Sequence, residues 1–125
     1  MILVDTDVLI EIFDKNSKKG EDALQRIEEA GEDIALTSLN LHEILYGLYK
    51  YADHPKIEKI LTLDIVDFTK DDSILSAKLE IKAEKKGTKT PRFDTMIAAV
   101  AINRGFKLLT YNKKHFEDFK DLILF

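Results

Sequence analysis

Short apolar runs of strand type alternate with segments of helical spacing throughout this chain of 125 residues. The predicted strands cover residues 2–4, 34–37, 65–68, 107–110 and 122–124. No tight hairpin turn joins two of them, and parallel strands need a longer, usually helical, connection. The pattern therefore predicts the α/β class: one three-layer α/β/α domain over residues 1–125, with a mostly parallel central sheet of about five strands.

The first helices carry recognisable start signals. Thr6 is the expected N-cap of a short helix over residues 7–13, and a polar connection is expected at residues 14–19. Thr37 or Ser38 is expected to cap the helix that follows the second strand. Each of these side chains carries an oxygen that can accept from the free N–H groups of a first helical turn.

Later helices are marked by proline and by a capping pattern. His54-Pro55 is expected to break the third helix ahead of a short helix at residues 57–61. The tetrapeptide from Thr69 to Asp72 resembles a capping box before a long helix. Pro91 suits the first turn of the next helix, which is apolar almost all round and is therefore predicted to be the most buried.

Composition excludes several classes of protein. Hydrophobic residues make up 45% and charged residues 34% of the chain, as is usual for a soluble globular domain. The absence of cysteine excludes disulfides and thiolate metal sites. No apolar run approaches the roughly 18 residues of a membrane span, so no membrane partner and a cytoplasmic location are expected. A net charge of −4 argues against an extended surface for duplex DNA.

Acidic side chains stand at positions that suit a ligand site. Asp5 directly follows the first strand, and the carboxyl ends of strands are where open α/β sheets bind ligands. Asp94 lies in the first turn of the apolar helix, where the helix dipole favours a carboxylate. Glu43 borders the apolar stripe of its helix, and Gly47 one turn further on leaves room for a ligand backbone. Each acid also has a structural alternative, as a helix-start residue or a solvated side chain.

If the side chains of Asp5, Glu43 and Asp94 meet at one rim of the sheet, we expect them to bind a metal ion. Uncompensated carboxylates that lie close together repel, so they must take up a proton or share a cation. Oxygen ligands without cysteine or a histidine pair suit Mg²⁺ or Mn²⁺ and not Zn²⁺. Such a cation activates water and neutralises the oxygens of phosphate esters. We therefore predict Asp5, Glu43 and Asp94 as metal ligands and catalytic residues.

Four segments together resemble the PIN domain family, and within it the VapC-type toxins of toxin–antitoxin pairs. They are residues 2–10 (ILVDTDVLI), 41–47 (LHEILYG), 94–99 (DTMIAA) and 109–116 (LTYNKKHF). The resemblance implies a Mg²⁺- or Mn²⁺-dependent endoribonuclease that cuts single-stranded RNA. It also implies a homodimer and a cognate antitoxin that covers the site.

The resemblance also assigns residues. Asp5, Glu43 and Asp94 match the acidic positions of the family, and Asn112 matches a polar residue that arranges the site. His115 is a departure, because many members carry a fourth acid there, so we expect one firm metal site and a weaker second. His115 then either contacts a phosphate or a metal-bound water, or is a surface imidazole that caps a turn.

The remaining predicted contacts concern the substrate. Thr6, Arg92, Thr110, Asn112 and His115 are expected to position it. Basic residues near the rim form either a track for RNA phosphates or an ordinary solvated helix end: Lys85, Lys86, Lys89, Arg92, Lys113 and Lys114. For Asp7 we expect stabilisation of a helix N-terminus, with contact to an outer-shell water as the alternative role.

Two other functions compete with this interpretation. Haloacid-dehalogenase-like phosphatases also open with an acidic pair such as Asp5-Thr6-Asp7, but Leu9 stands where that motif usually has Thr or Val. They also need a late acidic pair, whereas Leu109 is followed by Thr110-Tyr111-Asn112. The second alternative is a non-catalytic PIN-like scaffold that binds RNA or a protein. The three intact acids count against the scaffold, and the missing fourth acid counts for it.

Overall fold

The computed structural model describes residues 1–13 and 17–125. Within these ranges the strands are β1 (Ile2–Val4), β2 (Ile34–Thr37), β3 (Asp64–Val66), β4 (Lys107–Leu109) and β5 (Ile123–Leu124). The helices are α1 (Thr6–Phe13), α2 (Lys18–Ala30), α3 (Ser38–Lys50), α4 (His54–Leu61), α5 (Lys70–Lys85) and α6 (Arg92–Arg104), with a short 3₁₀ helix at Lys113–His115. None of these helices combines the length and the apolar character that crossing a membrane requires.

The strands form one sheet in the order β3-β2-β1-β4-β5, and every pairing in it is parallel. Ile2 lies beside Ile34 on one side and beside Lys107 on the other. Strands β2 and β3 follow β1 on one side of it, and β4 and β5 lie on the other side. The direction in which strands are added to the sheet therefore reverses, and the reversal lies between β1 and β4. Open α/β sheets have a crevice outside the carboxyl ends of the strands at such a point. The predicted α/β fold with a five-stranded parallel sheet is confirmed.

Two separate apolar clusters cover the two faces of the sheet. Successive side chains of a strand point to opposite faces, so Ile2 and Val4 pack with residues of α1 to α4, and Leu3 packs with α6. The residues from Ile97 to Ala101 on α6 are completely buried, as the apolar sequence of this helix predicts. The result is the expected arrangement of three layers, in which the buried α6 packs against one face of the sheet.

A buried ion pair fixes the far end of α6 to the start of α5. The carboxylate of Asp72 accepts hydrogen bonds from the Arg104 guanidinium at 2.9 and 3.0 Å and from Asn103 Nδ2 at 2.8 Å. Burial raises the pKa of Asp72, but the hydrogen bonds from Arg104, Asn103 and Thr69 outweigh it and hold that pKa at about 2. Asp72 is therefore charged at any ordinary pH, and Thr69 and Asp72 form the predicted capping box.

Several predicted element starts are wrong, and local contacts explain why. Thr6 is the first residue of α1 and not its cap, because the Asp5 carbonyl accepts the first helical bond from Leu9 N. Pro91 precedes α6 and does not lie in its first turn, since its backbone is extended (φ −56°, ψ 137°). His54 starts α4, with Asp53 as the cap, so the expected break is a helix start.

Smaller differences concern the ends of elements. Of the connection predicted at residues 14–19, positions 14–16 lie outside the described residues, and the side chain of Ser17 already caps α2. Strands β3 and β4 end before Phe68 and Thr110, and β5 begins after Leu122. Thr110 thereby becomes a loop residue immediately beyond the sheet, which leaves its side chain free to contact the neighbouring strand end.

Two glycines within helices give a matched test of packing. A Cβ added to Gly20 in α2 would overlap the backbone carbonyl of Glu11 in α1, whereas one added to Gly47 in α3 would meet no atom within 4 Å. We expect Gly20→Ala to lower the free energy of unfolding by about 1–3 kcal/mol through overpacking. We expect Gly47→Ala to raise it by about 0.5–1 kcal/mol through helix propensity. Urea unfolding of both variants measures the two effects, and equal changes would contradict the close α1–α2 contact.

Candidate functional site

Asp5 is a buried carboxylate at the carboxyl end of the central strand, with 6% of its surface exposed. Its Oδ1 accepts from Thr6 N at 2.9 Å and from Asn40 Nδ2 at 3.2 Å, and its Oδ2 accepts from the Thr110 hydroxyl at 2.8 Å. The donors come from the start of α1, the start of α3 and the end of β4. Asp5 therefore lies where these elements converge, in the crevice that the sheet topology creates.

A chain of hydrogen bonds connects Asp5 with Glu43. Asn40 Nδ2 also donates to Thr6 Oγ1 at 2.9 Å, and the Thr6 hydroxyl donates to Glu43 Oε1 at 2.7 Å. Asn40 is held in turn by the capping box of α3, in which its Oδ1 accepts from the Thr37 hydroxyl at 2.6 Å. Glu43 itself is exposed, so this chain of bonds leads from the buried Asp5 to solvent.

Asp94 approaches the same rim from the first turn of α6. Its Oδ2 lies 2.7 Å from His115 Nδ1, and 15% of its side chain is exposed. Burial raises the pKa of Asp94, the bond from His115 lowers it, and the charges of Asp5 and Glu43 raise it. Hydrogen bonds through Asn40 and Thr6 join Asp5 to Glu43, and the charges of both acids contribute to the raised pKa of Asp94.

Asp7 is a fourth carboxylate in the cluster. Its Oδ1 accepts from Val8 N at 2.8 Å, and its Oδ2 accepts from Tyr111 N at 3.3 Å and from Asn112 Nδ2 at 3.1 Å. Burial and the charge of Asp5 raise its pKa to about 6, although the backbone bonds from Val8 and Tyr111 lower it. Asp7 lies in the first turn of α1, as predicted, but it is also part of the acidic rim.

The residues predicted to position a substrate divide into two groups. Thr6, Thr110, Asn112 and His115 each bond an acid of the cluster. Arg92 does not: its Nε donates to Glu80 Oε1 at 2.9 Å on the side of α5, with 73% of its side chain exposed. The five lysines of the predicted basic track are exposed: Lys85, Lys86, Lys89, Lys113 and Lys114.

Sequence reasoning missed two features of this region. Asn40 was not singled out, although an Asn three residues after a Thr at a helix start is a signal for a capping box. The second feature is an apolar groove of about 370 Å³ beside Glu43, between α1, α3 and α4. Its lining includes Ile10 and Tyr51, which are 58% and 79% exposed. The signal for the groove is α1 itself, which is apolar on its outer as well as its inner face.

The carboxylates do not form a closed metal cage as they stand. Within residues 1–13 and 17–125, no three His, Asp or Glu side chains are arranged to hold a metal ion. One oxygen of Glu43 is engaged by Thr6, and one oxygen of Asp94 by His115. In each of these two side chains the other carboxylate oxygen is not part of that bond.

Burial of Asp7 and its repulsion by Asp5 predict that Asp7→Asn stabilises the metal-free protein. Because the pKa of Asp7 is raised from 3.8 to about 6, its ionisation costs folding free energy, and the loss develops as pH rises from about 4 to 6. We expect the variant to be more stable at pH 7 by about 1–2 kcal/mol and to lack this part of the pH dependence. Thermal unfolding in EDTA at several pH values measures it. Asp71→Asn, an exposed acid in the first turn of α5, is the matched control.

A less stable Asp7→Asn variant at pH 7 would contradict this account. It would mean that the bonds from Tyr111 and Asn112 to a charged Asp7 outweigh the repulsion. The control variant should change stability by no more than the loss of one helix-terminal charge, about 0.3–1 kcal/mol.

Comparisons with known proteins agree with the fold. The sequence model of the PIN domain matches residues 2–122. The chain is 33% identical to ribonuclease VapC1 of Methanocaldococcus jannaschii, covering 96% of this chain and 82% of that protein. It is 28% identical to ribonuclease VapC2 of Rickettsia felis, covering 98% of this chain and 94% of that protein.

A solved structure extends the likeness to three dimensions. The crystal structure of VapBC2 from Rickettsia felis, bound to a DNA fragment from their promoter, contains a chain that superposes with a TM-score of 0.83 and 27% identity. The superposition covers 100% of this chain and 98% of that one. A parallel five-stranded sheet, an acidic rim at its switch point and a family match over residues 2–122 agree with one another, and the chain belongs to the PIN domain family.

Proposed function

We propose that this chain, as a single PIN domain over residues 1–125, is a metal-dependent endoribonuclease and the toxin of a toxin–antitoxin pair. The observation that supports the proposal is the hydrogen-bonded acidic rim, where Asn40 and Thr6 link Asp5 to Glu43 and His115 bonds Asp94. The two relatives reported above are named ribonucleases. Membership of the PIN domain family rules out the haloacid-dehalogenase-like alternative.

The donor chemistry of the rim fits a hard divalent cation. Asp5, Glu43 and Asp94 offer carboxylate oxygens, which Mg²⁺ and Mn²⁺ prefer. Among the described residues no lysine or arginine forms a salt bridge with them, and their side-chain partners are His115 and neutral donors. A bound Mg²⁺ or Mn²⁺ would activate water and neutralise the charge of the phosphodiester. We assign Asp5, Glu43 and Asp94 as the residues that hold it.

The neighbouring polar residues keep the acids in place for this task. Thr110 and Asn40 orient Asp5, Thr6 orients Glu43, and Asn112 orients Asp7. Hydrogen bonds of this kind restrict the carboxylates to a few orientations, which lowers the entropy cost of binding a cation.

Single-stranded RNA is the proposed substrate. The whole chain carries a net charge of −4, so phosphate contacts must come from a local basic patch. The exposed Lys89, Lys113 and Lys114 lie close in sequence to Asp94 and His115 and supply that charge. Arg92 joins them by exchanging Glu80 for an RNA phosphate, which its high exposure permits.

Cleavage of defined RNAs with and without a metal tests this function. We expect the purified chain to cut single-stranded RNA with Mg²⁺ or Mn²⁺ but not with EDTA, and Asp5→Asn or Asp94→Asn to lower the rate at least about 100-fold. The metal should also raise the melting temperature of the native chain but not that of Asp5→Asn. Asp71→Asn, which removes the same charge far from the rim, should behave as the native chain does.

The outcomes separate the remaining alternatives. RNA binding without cleavage in any metal would favour the non-catalytic scaffold. An equal rise of the melting temperature in the native chain and in Asp5→Asn would place the metal elsewhere.

We further propose that a cognate antitoxin covers the apolar groove between α1, α3 and α4. The solved relative from Rickettsia felis is a complex, VapBC2. The groove is lined by apolar side chains and ends at Glu43 of the acidic rim. An amphipathic segment with a basic residue would bury the groove and meet the carboxylates at the same time. A homodimer is proposed on the family resemblance.

A charge placed in the groove tests the antitoxin surface. We expect Ile10→Asp, in the groove, to weaken binding of the antitoxin encoded beside this gene by at least about tenfold, because burying the new charge is costly. Ile81→Asp on α5 is the matched control, since Ile81 is 52% exposed and lies outside the groove lining. Isothermal titration calorimetry measures both, and equal affinities for the two variants would contradict the groove assignment.

A further inference from the structure

Three residues of one short segment after β4 each form a hydrogen bond with a different acid of the rim. We call residues 110–116 the rim segment. The Thr110 hydroxyl donates to Asp5, the Asn112 amide donates to Asp7, and the His115 ring bonds Asp94. The three bonds have lengths of 2.8, 3.1 and 2.7 Å, and that of His115 is the shortest.

The rim segment is itself fixed to the core. Phe116 at its end is 1% exposed and packs against Phe119, with ring centroids 6.3 Å apart. Asn112 N donates to Thr110 Oγ1 at 3.1 Å, and His115 N donates to Asn112 O at 2.9 Å. The backbone at His115 therefore has few alternative conformations. The buried Phe116, one residue further on, keeps the imidazole of His115 beside Asp94.

The contact identifies which nitrogen of His115 is engaged. When Asp94 is ionised it can only accept, so the bond to its Oδ2 then requires the hydrogen on Nδ1. Nδ1 therefore bonds Asp94, whereas 45% of the His115 side chain remains exposed to solvent. The second oxygen of Asp94, Oδ1, is not part of this bond.

We propose that His115 is a positioning residue that holds Asp94 through Nδ1 and so leaves Oδ1 as the oxygen available to a divalent cation. This inference rests on the proposed function, because it assigns Asp94 to the metal. It differs from the roles predicted from the sequence, in which His115 contacts a phosphate or a metal-bound water. In this role His115 does not touch the substrate. It restricts the rotation of the Asp94 carboxylate, which extends from the first turn of α6.

The physical reason for such a residue is the repulsion at the rim. The charges of Asp5 and Glu43 contribute to the raised pKa of Asp94, and the bond from His115 limits the orientations that the Asp94 carboxylate can adopt beside them. A hydrogen bond to an ionised group is stronger than one between neutral groups and holds the orientation of that group more firmly. Outer ligands of this kind typically change metal affinity about 10–100-fold when they are removed.

Asparagine and glutamine separate the two ring nitrogens of His115. The amide nitrogen of Asn lies as many bonds from Cβ as Nδ1 does, and that of Gln as many as Nε2 does. We expect His115→Ala and His115→Gln to raise the Kd for Mn²⁺ about 10–100-fold, and His115→Asn to stay within about threefold of the native chain. Calorimetry, and electron paramagnetic resonance of free Mn²⁺, measure the affinity without any turnover. His54→Asn, an exposed histidine at the start of α4, is the control.

Affinities that depart from this order overturn the inference. Rescue by Gln but not by Asn would make Nε2 the working nitrogen, and tighter Mn²⁺ binding by His115→Ala would make His115 a competitor of the metal. Unchanged affinity in all three variants would leave His115 without a role. If the native chain has no Mn²⁺ binding that depends on Asp5, both this inference and the proposed metal site fail. If the affinities follow the expected order but no RNA is cut, the positioning role stands and the ribonuclease assignment fails.

Discussion

The hydrogen bonds that hold the buried carboxylate of Asp5 organise the functional end of this molecule. A charge can be buried at low cost only if donors surround it, and here the donors come from α1, α3 and the end of β4. The same bonds therefore set the relative positions of the elements that carry Glu43 and the rim segment. Loss of one donor would leave a buried charge partly unsatisfied, which costs more than the bond itself contributes.

The acidic rim lowers the stability of the fold. Burial together with neighbouring charges raises the pKa of both Asp7 and Asp94, so their ionisation opposes folding. Stability comes from elsewhere, through the two apolar clusters and the buried Asp72–Arg104 pair at the opposite end of α6. Because α6 is fixed at that end and completely buried along its middle, Asp94 is held near the other acids despite their repulsion.

Elements with strong periodicity were predictable, and details that depend on competition between neighbours were not. The burial of α6 followed from its sequence, because a helix that is apolar all round has no face for water. The cap of α1 did not follow, because Asp5 and Thr6 have equal chemistry for an N-cap. Asn40 and Glu43 of α3 form hydrogen bonds with the Thr6 hydroxyl, and Thr6 is the first residue of α1 and not its cap. The ends of β3, β4 and β5 differed by one or two residues for the usual reason that the last pairings of a strand are weak.

The sequence by itself determined the order of strands and helices along the chain, the parallel pairing of the sheet and the acidic residue types at its rim. Local spacing suffices for these, because the periodicity of a strand or helix is set by near neighbours in the chain. Only the tertiary structure decided which donor holds which acid, that a groove lies beside Glu43, and that His115 bonds Asp94 through Nδ1. Those contacts join residues 21 to 105 positions apart, and their geometry depends on how the helices pack on the sheet, which no local pattern encodes.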